Sequence, residues 1–140
     1  RLSLVSEQGA AIGEDYTLAL ASTLVLRHRP GPLVTNLSTS RLMDDVTVAA
    51  GVPLIRAPVG EINVARRMEA ESATIGGEGN GGVILPDVHL TRDAPVAAAL
   101  ILQLLLRDLC GRDACHRTRH VIASLHRWRG PEPPRLPKVP

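Results

Sequence analysis

Short apolar segments alternate with helix-forming segments along most of this chain, and that alternation limits the possible folds more than any other sequence feature. Four segments have the length and composition of strands; they are Leu33–Asn36, Pro53–Ile55, Ser72–Ile75 and Val83–Leu85. Parallel neighbours need a long connection, usually a helix, whereas a tight turn joins antiparallel strands. We therefore predict an α/β fold: a three-layer α/β/α sandwich whose four-stranded sheet is mostly parallel with one antiparallel edge strand. A further short strand is predicted at Leu2–Ser6.

Capping residues and helix breakers predict the first two helices. The first should begin at Glu14–Asp15, whose carboxylates suit a helix N-terminus, and end at Arg29 before Pro30. The hydroxyls of residues Ser38–Ser40 are predicted to cap a second helix, and Gly51 should end it.

The two later helices carry different apolar patterns. Gly60 should open a helix whose core-facing residues are Ile62, Ala65 and Met68. The last helix should begin at Arg92 or Asp93. Its segment Ala94–Leu106 is apolar on nearly every side, which predicts burial all round.

Composition excludes several functional classes. Aromatic residues make up only 1% of the chain, and base-stacking platforms need aromatic rings, so no nucleic-acid partner is expected. Residues 1–106 contain 8 basic and 11 acidic side chains, whereas residues 107–140 contain 8 basic and 3 acidic ones. The main body therefore lacks a basic surface, and no apolar run is long enough to span a membrane. Two cysteines and an N-terminus unlike a signal peptide favour a cytoplasmic location.

The segment Gly76-Gly-Glu-Gly-Asn-Gly-Gly carries the most information about function. Glycine backbone can turn sharply and approach a ligand closely because it has no side chain. Glu78 and Asn80 supply the only side chains, and a carboxylate beside an amide can exchange hydrogen bonds with neighbouring sugar hydroxyls. Loops 36–40, 58–61 and 76–82 each follow a predicted strand. They should gather at one edge of the sheet as the candidate site.

Two other interpretations of the glycine segment stay open. Gly77, Gly79 and Gly82 satisfy the dinucleotide-binding pattern, but that pattern requires a helix to follow, and residues 83–86 are strand-like and end in proline. Glu78 would also repel a phosphate. The other interpretation is a glycine-rich hairpin that binds no ligand.

Several motifs, in order, resemble the α-D-phosphohexomutases, the family of phosphoglucomutase, phosphomannomutase and phosphoglucosamine mutase. The resemblance covers about residues 1–106. Its motifs are Arg1-Leu-Ser-Leu-Val, Gly13-Glu-Asp-Tyr, Val34-Thr-Asn-Leu-Ser-Thr-Ser, Pro58-Val-Gly-Glu-Ile-Asn-Val and Gly76-Gly-Glu-Gly-Asn-Gly-Gly.

The resemblance implies a role for each matched residue. Glu78 would contact the 3- and 4-hydroxyls of a hexose phosphate. Arg1 matches the arginine that ends the family's magnesium loop, and Gly82 stands where many members have histidine. The other residues that match substrate-binding loops are Asn36, Ser38, Gly60, Glu61, Gly79 and Asn80.

The resemblance also implies that this chain is part of a larger enzyme. Residues 1–12 would end a preceding metal-loop domain, residues 13–108 would form the third α/β/α domain, and residues 109–140 would be a basic, proline-rich linker or tail. The family transfers phosphate reversibly between carbons 1 and 6 of a hexose, using a phosphoserine, three aspartates that hold Mg²⁺ and a phosphate-binding loop. These motifs are not found in the sequence. We expect no catalytic residue and no metal ligand here, an inactive chain in isolation, and partnership with the remaining domains.

Other functions remain as alternatives. The chain could instead be a non-catalytic module that binds a sugar phosphate or a nucleotide sugar, or an interaction domain with a basic tail. Cys110, Cys115, His116 and His120 are zinc-ligating residue types, but they lack the spacing of two separate ligand pairs. A pair of free thiols is the favoured interpretation of that cluster.

Overall fold

The computed structural model describes residues 1–110, with side chains as far as residue 107. Residues 1–104 form one compact unit. The helices and strands within residues 1–110 are α1 (Asp15–His28), β1 (Leu33–Asn36), α2 (Leu42–Ala50), β2 (Leu54–Ala57), α3 (Glu61–Ala70), β3 (Ile75–Glu78), β4 (Gly82–Ile84) and α4 (Ala94–Cys110). No helix in this range is long and apolar enough to cross a membrane.

The strands form one mixed sheet in the order β2-β1-β3-β4. Strand β1 lies parallel to both β2 and β3, and β4 pairs with β3 in the antiparallel direction at the edge. Asn36 is paired with Ala57 at the end of β1, and Glu78 is paired with Gly82 across the turn from β3 to β4. The predicted α/β architecture, with a single antiparallel edge strand in this range, is confirmed.

Helices cover both faces of the sheet because successive residues of a strand point to opposite sides. On one face Leu33, Ile75 and Val83 pack with residues of α1, α2 and α4, including Leu18, Met43 and Ala97. On the other face α3 contributes Val64 and Met68, which pack with Val34, Ala57 and Ile84. The core is aliphatic, as the scarcity of aromatic residues requires.

The predicted burial of two helices was wrong in part. Met68 is buried in α3 as expected, but Val64 is the second buried residue and Ile62 is 61% exposed. Contact with the sheet selected the Val64–Met68 pair, which is spaced by four residues. In α4 the buried residues are Ala97, Ile101 and Leu104, whereas Leu102 is 60% exposed, so this helix has one buried face.

The predicted cap of α2 was also wrong. The residue before the helix is Arg41, which makes no side-chain capping bond, and the hydroxyl of Thr39 bonds to Asn36 instead. Gly51 does end α2 in the left-handed conformation, with φ of 66°. The strand predicted at residues 2–6 is not part of the sheet; within this segment Val5 pairs with Ala11 in an isolated bridge.

Strand β3 begins later than predicted and continues into the glycine segment. Gly76 and Gly77 are strand residues, and the turn is confined to residues 79–81. A Cβ atom on Gly76 would lie 2.5 Å from the Met68 sulfur and 2.6 Å from the carbonyl oxygen of Val34. This glycine is therefore required by the packing of α3 and β1 against β3.

Candidate functional site

The candidate site lies where the parallel strands reach their carboxyl ends. Asn36 ends β1, Glu78 ends β3, and Gly60 follows β2 at the start of α3. The Asn36 amide nitrogen donates to Glu78 Oε1 at 2.7 Å, and the Gly60 backbone N–H donates to the same oxygen at 3.3 Å. The structure thus brings together the three loops that the sequence predicted to meet.

Glu78 is the central side chain of this site. Its residue surface is only 3% exposed. Arg92 Nη1 donates to Oε2 at 3.0 Å, and the Asn80 amide nitrogen lies 3.5 Å from the same oxygen. Each carboxylate oxygen therefore has one short bond, from Asn36 or Arg92, and one long bond, from Gly60 or Asn80. A carboxylate accepts about four hydrogen bonds, so the two long bonds mark its weakly engaged positions.

Residues of the loop after β1 hold Asn36 in place. Its side-chain oxygen accepts bonds from the Ser38 backbone N–H at 3.1 Å, the Ser38 hydroxyl at 3.0 Å and the Thr39 hydroxyl at 2.8 Å. The Thr39 oxygen accepts the backbone N–H of Gly79 at 3.0 Å. This network joins the loop after β1 to the turn after β3, and it fixes the amide orientation that Glu78 requires.

Glu61, in the first turn of α3, is bound by the segment before α4. Its Oε1 accepts the Thr91 hydroxyl at 2.6 Å and the Arg92 backbone N–H at 2.8 Å. Its Oε2 lies 2.8 Å from Arg92 Nε and 2.7 Å from Arg92 Nη2. The backbone hydrogen bond from Arg92, followed by the hydroxyl of Thr91, lowers the pKa of Glu61 to about 2.

Asn80 and Gly82 complete the site. The side-chain oxygen of Asn80 is buried and has no hydrogen-bond partner within the described residues. A Cβ atom on Gly82 would overlap the aliphatic part of the Arg92 side chain. The glycine at position 82 therefore provides the space in which Arg92 lies.

Comparison with known proteins identifies the family. Residues 13–119 match the family model described as phosphoglucomutase/phosphomannomutase, alpha/beta/alpha domain III. The chain belongs to the phosphoglucomutase/phosphomannomutase family. A phosphoglucomutase/phosphomannomutase from Thermococcus kodakarensis is 41% identical over 109 residues, which are 77% of this chain and 24% of that protein. A "Probable phosphoglucosamine mutase" from Methanopyrus kandleri is 36% identical, with the same coverage of both chains.

Solved structures of phosphohexomutases share the fold. A "putative phosphomannomutase" from Thermus thermophilus gives a TM-score of 0.75 at 24% identity, covering 90% of this chain and 29% of that one. A phosphoglucomutase/phosphomannomutase family protein from Burkholderia thailandensis gives 0.66 at 21% identity, covering 89% and 26%. The family resemblance predicted from the motifs is confirmed. The chain spans about a quarter of the length of the curated relatives named above.

Sequence reasoning missed two arginines of this phosphohexomutase domain. Arg92 was predicted only as a helix start, although it is the one arginine or lysine between residues 68 and 106. Arg56 donates to the carbonyl of Thr39 at 2.9 Å and pairs with Asp44 at 2.8 Å, so it supports the loop after β1. The position of Arg92 as a single cation among the acidic residues of this range was the one sequence feature that could have pointed to it. No sequence spacing linked either arginine to its partners.

The remaining predicted residues lie at the margin of the site or beyond the described range. Arg1 is exposed, and the backbone N–H of its neighbour Leu2 donates to the Gly81 carbonyl at 3.0 Å. The side chain of Cys110 and all of Cys115, His116 and His120 fall outside the described residues. Among the side chains that the structure describes, no group of three or more His, Cys, Asp or Glu could hold a metal ion.

Proposed function

We propose that this chain supplies sugar-hydroxyl recognition in a phosphohexomutase that moves phosphate reversibly between the 1- and 6-positions of a hexose. The family assignment supports the reaction class, and the residues at the carboxyl edge of the sheet support the role. Magnesium and the phosphate-transferring groups would come from other domains of the enzyme. A hexose phosphate and those domains are the proposed partners of this chain.

The observation that carries this proposal is the pair of incompletely bonded acceptors at the turn after β3. Glu78 has two long hydrogen bonds, at 3.3 Å and 3.5 Å, and the side-chain oxygen of Asn80 has no donor in the described structure. A buried acceptor without a donor costs about 1–3 kcal/mol. Hydroxyl groups of a hexose are donors that can recover this energy, so the site favours a polyhydroxylated ligand.

Charge also favours hydroxyl recognition over phosphate recognition at this position. Glu61 and Glu78 place two carboxylates around Arg92, and both use its guanidinium. An anionic phosphate placed here would meet two acidic groups and one cation that is already bonded. The phosphate of the substrate is therefore expected to lie away from this cluster.

A titration with matched sugars tests the proposal. The isotope-labelled 140-residue chain would be titrated with glucose 1-phosphate and with its 3-deoxy and 4-deoxy analogues, and the amide signals of residues 78–82 would be followed by NMR. We expect weak binding of glucose 1-phosphate and at least roughly tenfold weaker binding of the analogues, because a site built around a hydroxyl leaves its acceptors unpaired when that hydroxyl is missing.

Glu78→Gln provides the second arm of this experiment. In that variant the parent sugar should bind more weakly, and removal of the 3- or 4-hydroxyl should cause little further loss, since the two changes remove the same contact. Glu69→Gln, at an exposed position of α3, is the control. Equal affinities of the chain for glucose 1-phosphate and both deoxy sugars would contradict hydroxyl recognition. A selective response to a nucleotide sugar would favour the alternative, a binding module.

A further inference from the structure

Arg92 connects three parts of the candidate site that are distant in sequence. It lies in the segment between β4 and α4, and its guanidinium reaches Glu61 at the start of α3 and Glu78 at the end of β3. Nε and Nη2 lie 2.8 Å and 2.7 Å from Glu61 Oε2, and Nη1 lies 3.0 Å from Glu78 Oε2. One cation thus bonds two carboxylates through different nitrogens.

The shape of the guanidinium makes this bridge possible. Arginine carries its donors in a planar fork, whereas lysine presents a single compact charge. The side chain of Arg92 is 25% exposed and that of Glu78 is 4% exposed, so the bond to Glu78 is largely shielded from water. The Arg92 stem occupies the space that a Cβ atom on residue 82 would fill, so glycine at this position accommodates the arginine beside Glu78.

Arg92 and Asn36 hold Glu78 from opposite sides. Asn36 makes the short bond to Oε1 and Arg92 makes the short bond to Oε2, so the carboxylate plane has little freedom to rotate. Because the carboxylate is held in one orientation, its two weakly engaged acceptor positions have fixed directions, one toward Gly60 and one toward Asn80. A rigid pair of acceptors can select two neighbouring hydroxyls, because their spacing is set before the ligand arrives.

We propose that Arg92 is the positioning residue of this site: by bridging Glu61 and Glu78 it fixes the Glu78 carboxylate in the orientation that receives the sugar hydroxyls. This proposal rests on the proposed function for its ligand. The bridge itself concerns the free protein and can be tested without any sugar. Arg92 acts through Glu78 and is not assigned a contact with the reacting atoms.

Arg92→Lys is the decisive variant because it keeps the charge and most of the stem but removes the fork. In the ligand-free chain we expect the side-chain amide signal of Asn36 to move and the Gly60 amide to exchange faster with solvent, since both groups donate to Glu78. The dissociation constant for glucose 1-phosphate should rise about tenfold, the equivalent of one charge-assisted hydrogen bond. The difference in affinity between glucose 1-phosphate and its 3-deoxy and 4-deoxy analogues should become smaller than in the unmodified chain.

Two further variants complete the design. Arg92→Met should show the same changes more strongly, and Arg66→Lys, at an exposed position of α3, should show none of them. A folded Arg92→Lys chain with unchanged Asn36 and Gly60 signals and unchanged sugar affinity would overturn the proposal. Loss of folding in both Arg92 variants would also overturn it, since Arg92 would then be a structural ion-pair partner.

The two proposals can fail separately. If the unmodified chain does not respond to glucose 1-phosphate at residues 78–82, the proposed function fails. The ligand-free signals of Asn36 and Gly60 then still decide whether Arg92 orients Glu78.

Discussion

At the scale of single residues, the site is a buried polar cluster in which nearly every group has a partner. Asn36 is 1% exposed, Thr39 is 5% exposed and Glu78 is 3% exposed. Burial of such groups is unfavourable unless hydrogen bonds replace those lost to water, and here donors from three loops supply them. A carboxylate held in this way is fixed in position as well as stabilised.

Glu61 is expected to make the stability of the chain depend on pH. The bonds from Arg92 and Thr91 lower its pKa from 4.5 to about 2, so its contribution is complete above pH 4.5 and is lost as the pH falls toward 2. Glu61→Gln should reduce the free energy of unfolding by about 1–2 kcal/mol at pH 7, because Glu61 is partly exposed and water screens the ion pair.

Urea unfolding at pH 7, 4.5 and 3 measures this effect. The difference in the free energy of unfolding between the unmodified chain and Glu61→Gln should narrow at pH 3, because Glu61 is then mostly protonated in the unfolded chain while its lowered pKa keeps it ionised in the folded chain. Glu69→Gln serves as the exposed control on the same helix and should stay within about 0.5 kcal/mol of the unmodified chain at pH 7. A pH-independent difference for Glu61→Gln would contradict the assignment.

Two strand glycines, Gly76 in β3 and Gly82 in β4, should respond differently to an added methyl group. In Gly76→Ala the new carbon meets the Val34 backbone oxygen, which cannot move easily, so we expect a loss of about 1–3 kcal/mol in stability. In Gly82→Ala it meets the Arg92 stem, which is side chain and not backbone but is held by Glu61 and Glu78, so the loss should be smaller, about 1 kcal/mol, and should come from weakened bonds to those carboxylates. Denaturant unfolding of both variants gives the comparison, and equal losses would refute this account of the packing.

At the scale of elements, the three parallel strands each place one site residue at or just after their carboxyl ends, which lie at the same edge of the sheet. Asn36 and Glu78 end β1 and β3, and Gly60 opens the helix after β2. Helix α3 has a second task, since its buried side packs on the sheet while its first residue, Glu61, reaches Arg92. The rotation of α3 about its axis therefore affects both the core and the site.

Substitutions in α3 test which side of this helix is buried. Val64 is fully buried and Ile62 is 61% exposed, although both are β-branched and lie two residues apart. Val64→Ala should lower the free energy of unfolding by about 1.5–3 kcal/mol, because the lost methyl groups leave a cavity. Ile62→Ala should change it by less than about 0.5 kcal/mol. Thermal and urea unfolding provide the measurement, and a larger loss at Ile62 would reverse the assignment of the two faces.

At the scale of the whole molecule, the described residues provide one α/β domain of this family. The matched segment of 109 residues is about a quarter of the length of the two curated relatives named above. Recognition of hydroxyls holds a sugar in place, but phosphate transfer also requires a donor, a metal and a phosphate clamp that meet at one substrate. The role that we propose for this site is the recognition of hydroxyls.

The isolated 140-residue chain should therefore catalyse no phosphate transfer. An assay with glucose 1-phosphate, magnesium and glucose 1,6-bisphosphate should give no glucose 6-phosphate above the rate without protein. An intact phosphohexomutase assayed in parallel is the positive control. Measurable turnover by the purified chain, retained through repeated purification, would contradict the division of roles proposed here.

The local sequence determined the order and type of the elements from α1 to α4, the edge turn and the family, but it predicted a strand at residues 2–6 that the sheet does not contain. Periodicity and helix breakers act over a few residues, so they identified β1 without error and located α1 and α2 closely. The glycine segment and its neighbouring motifs identified the family. These features depend on local backbone preferences and on recognisable motifs, both of which can be read along the chain.

Only the tertiary structure decided which side of α3 is buried, where the Thr39 hydroxyl bonds and how Arg92 connects to Glu61 and Glu78. Arg92 is 31 residues from Glu61 and 14 residues from Glu78. No local pattern encodes contacts at such separations. They arise because the sheet order β2-β1-β3-β4 brings distant loops to one edge, where a single guanidinium can reach both carboxylates.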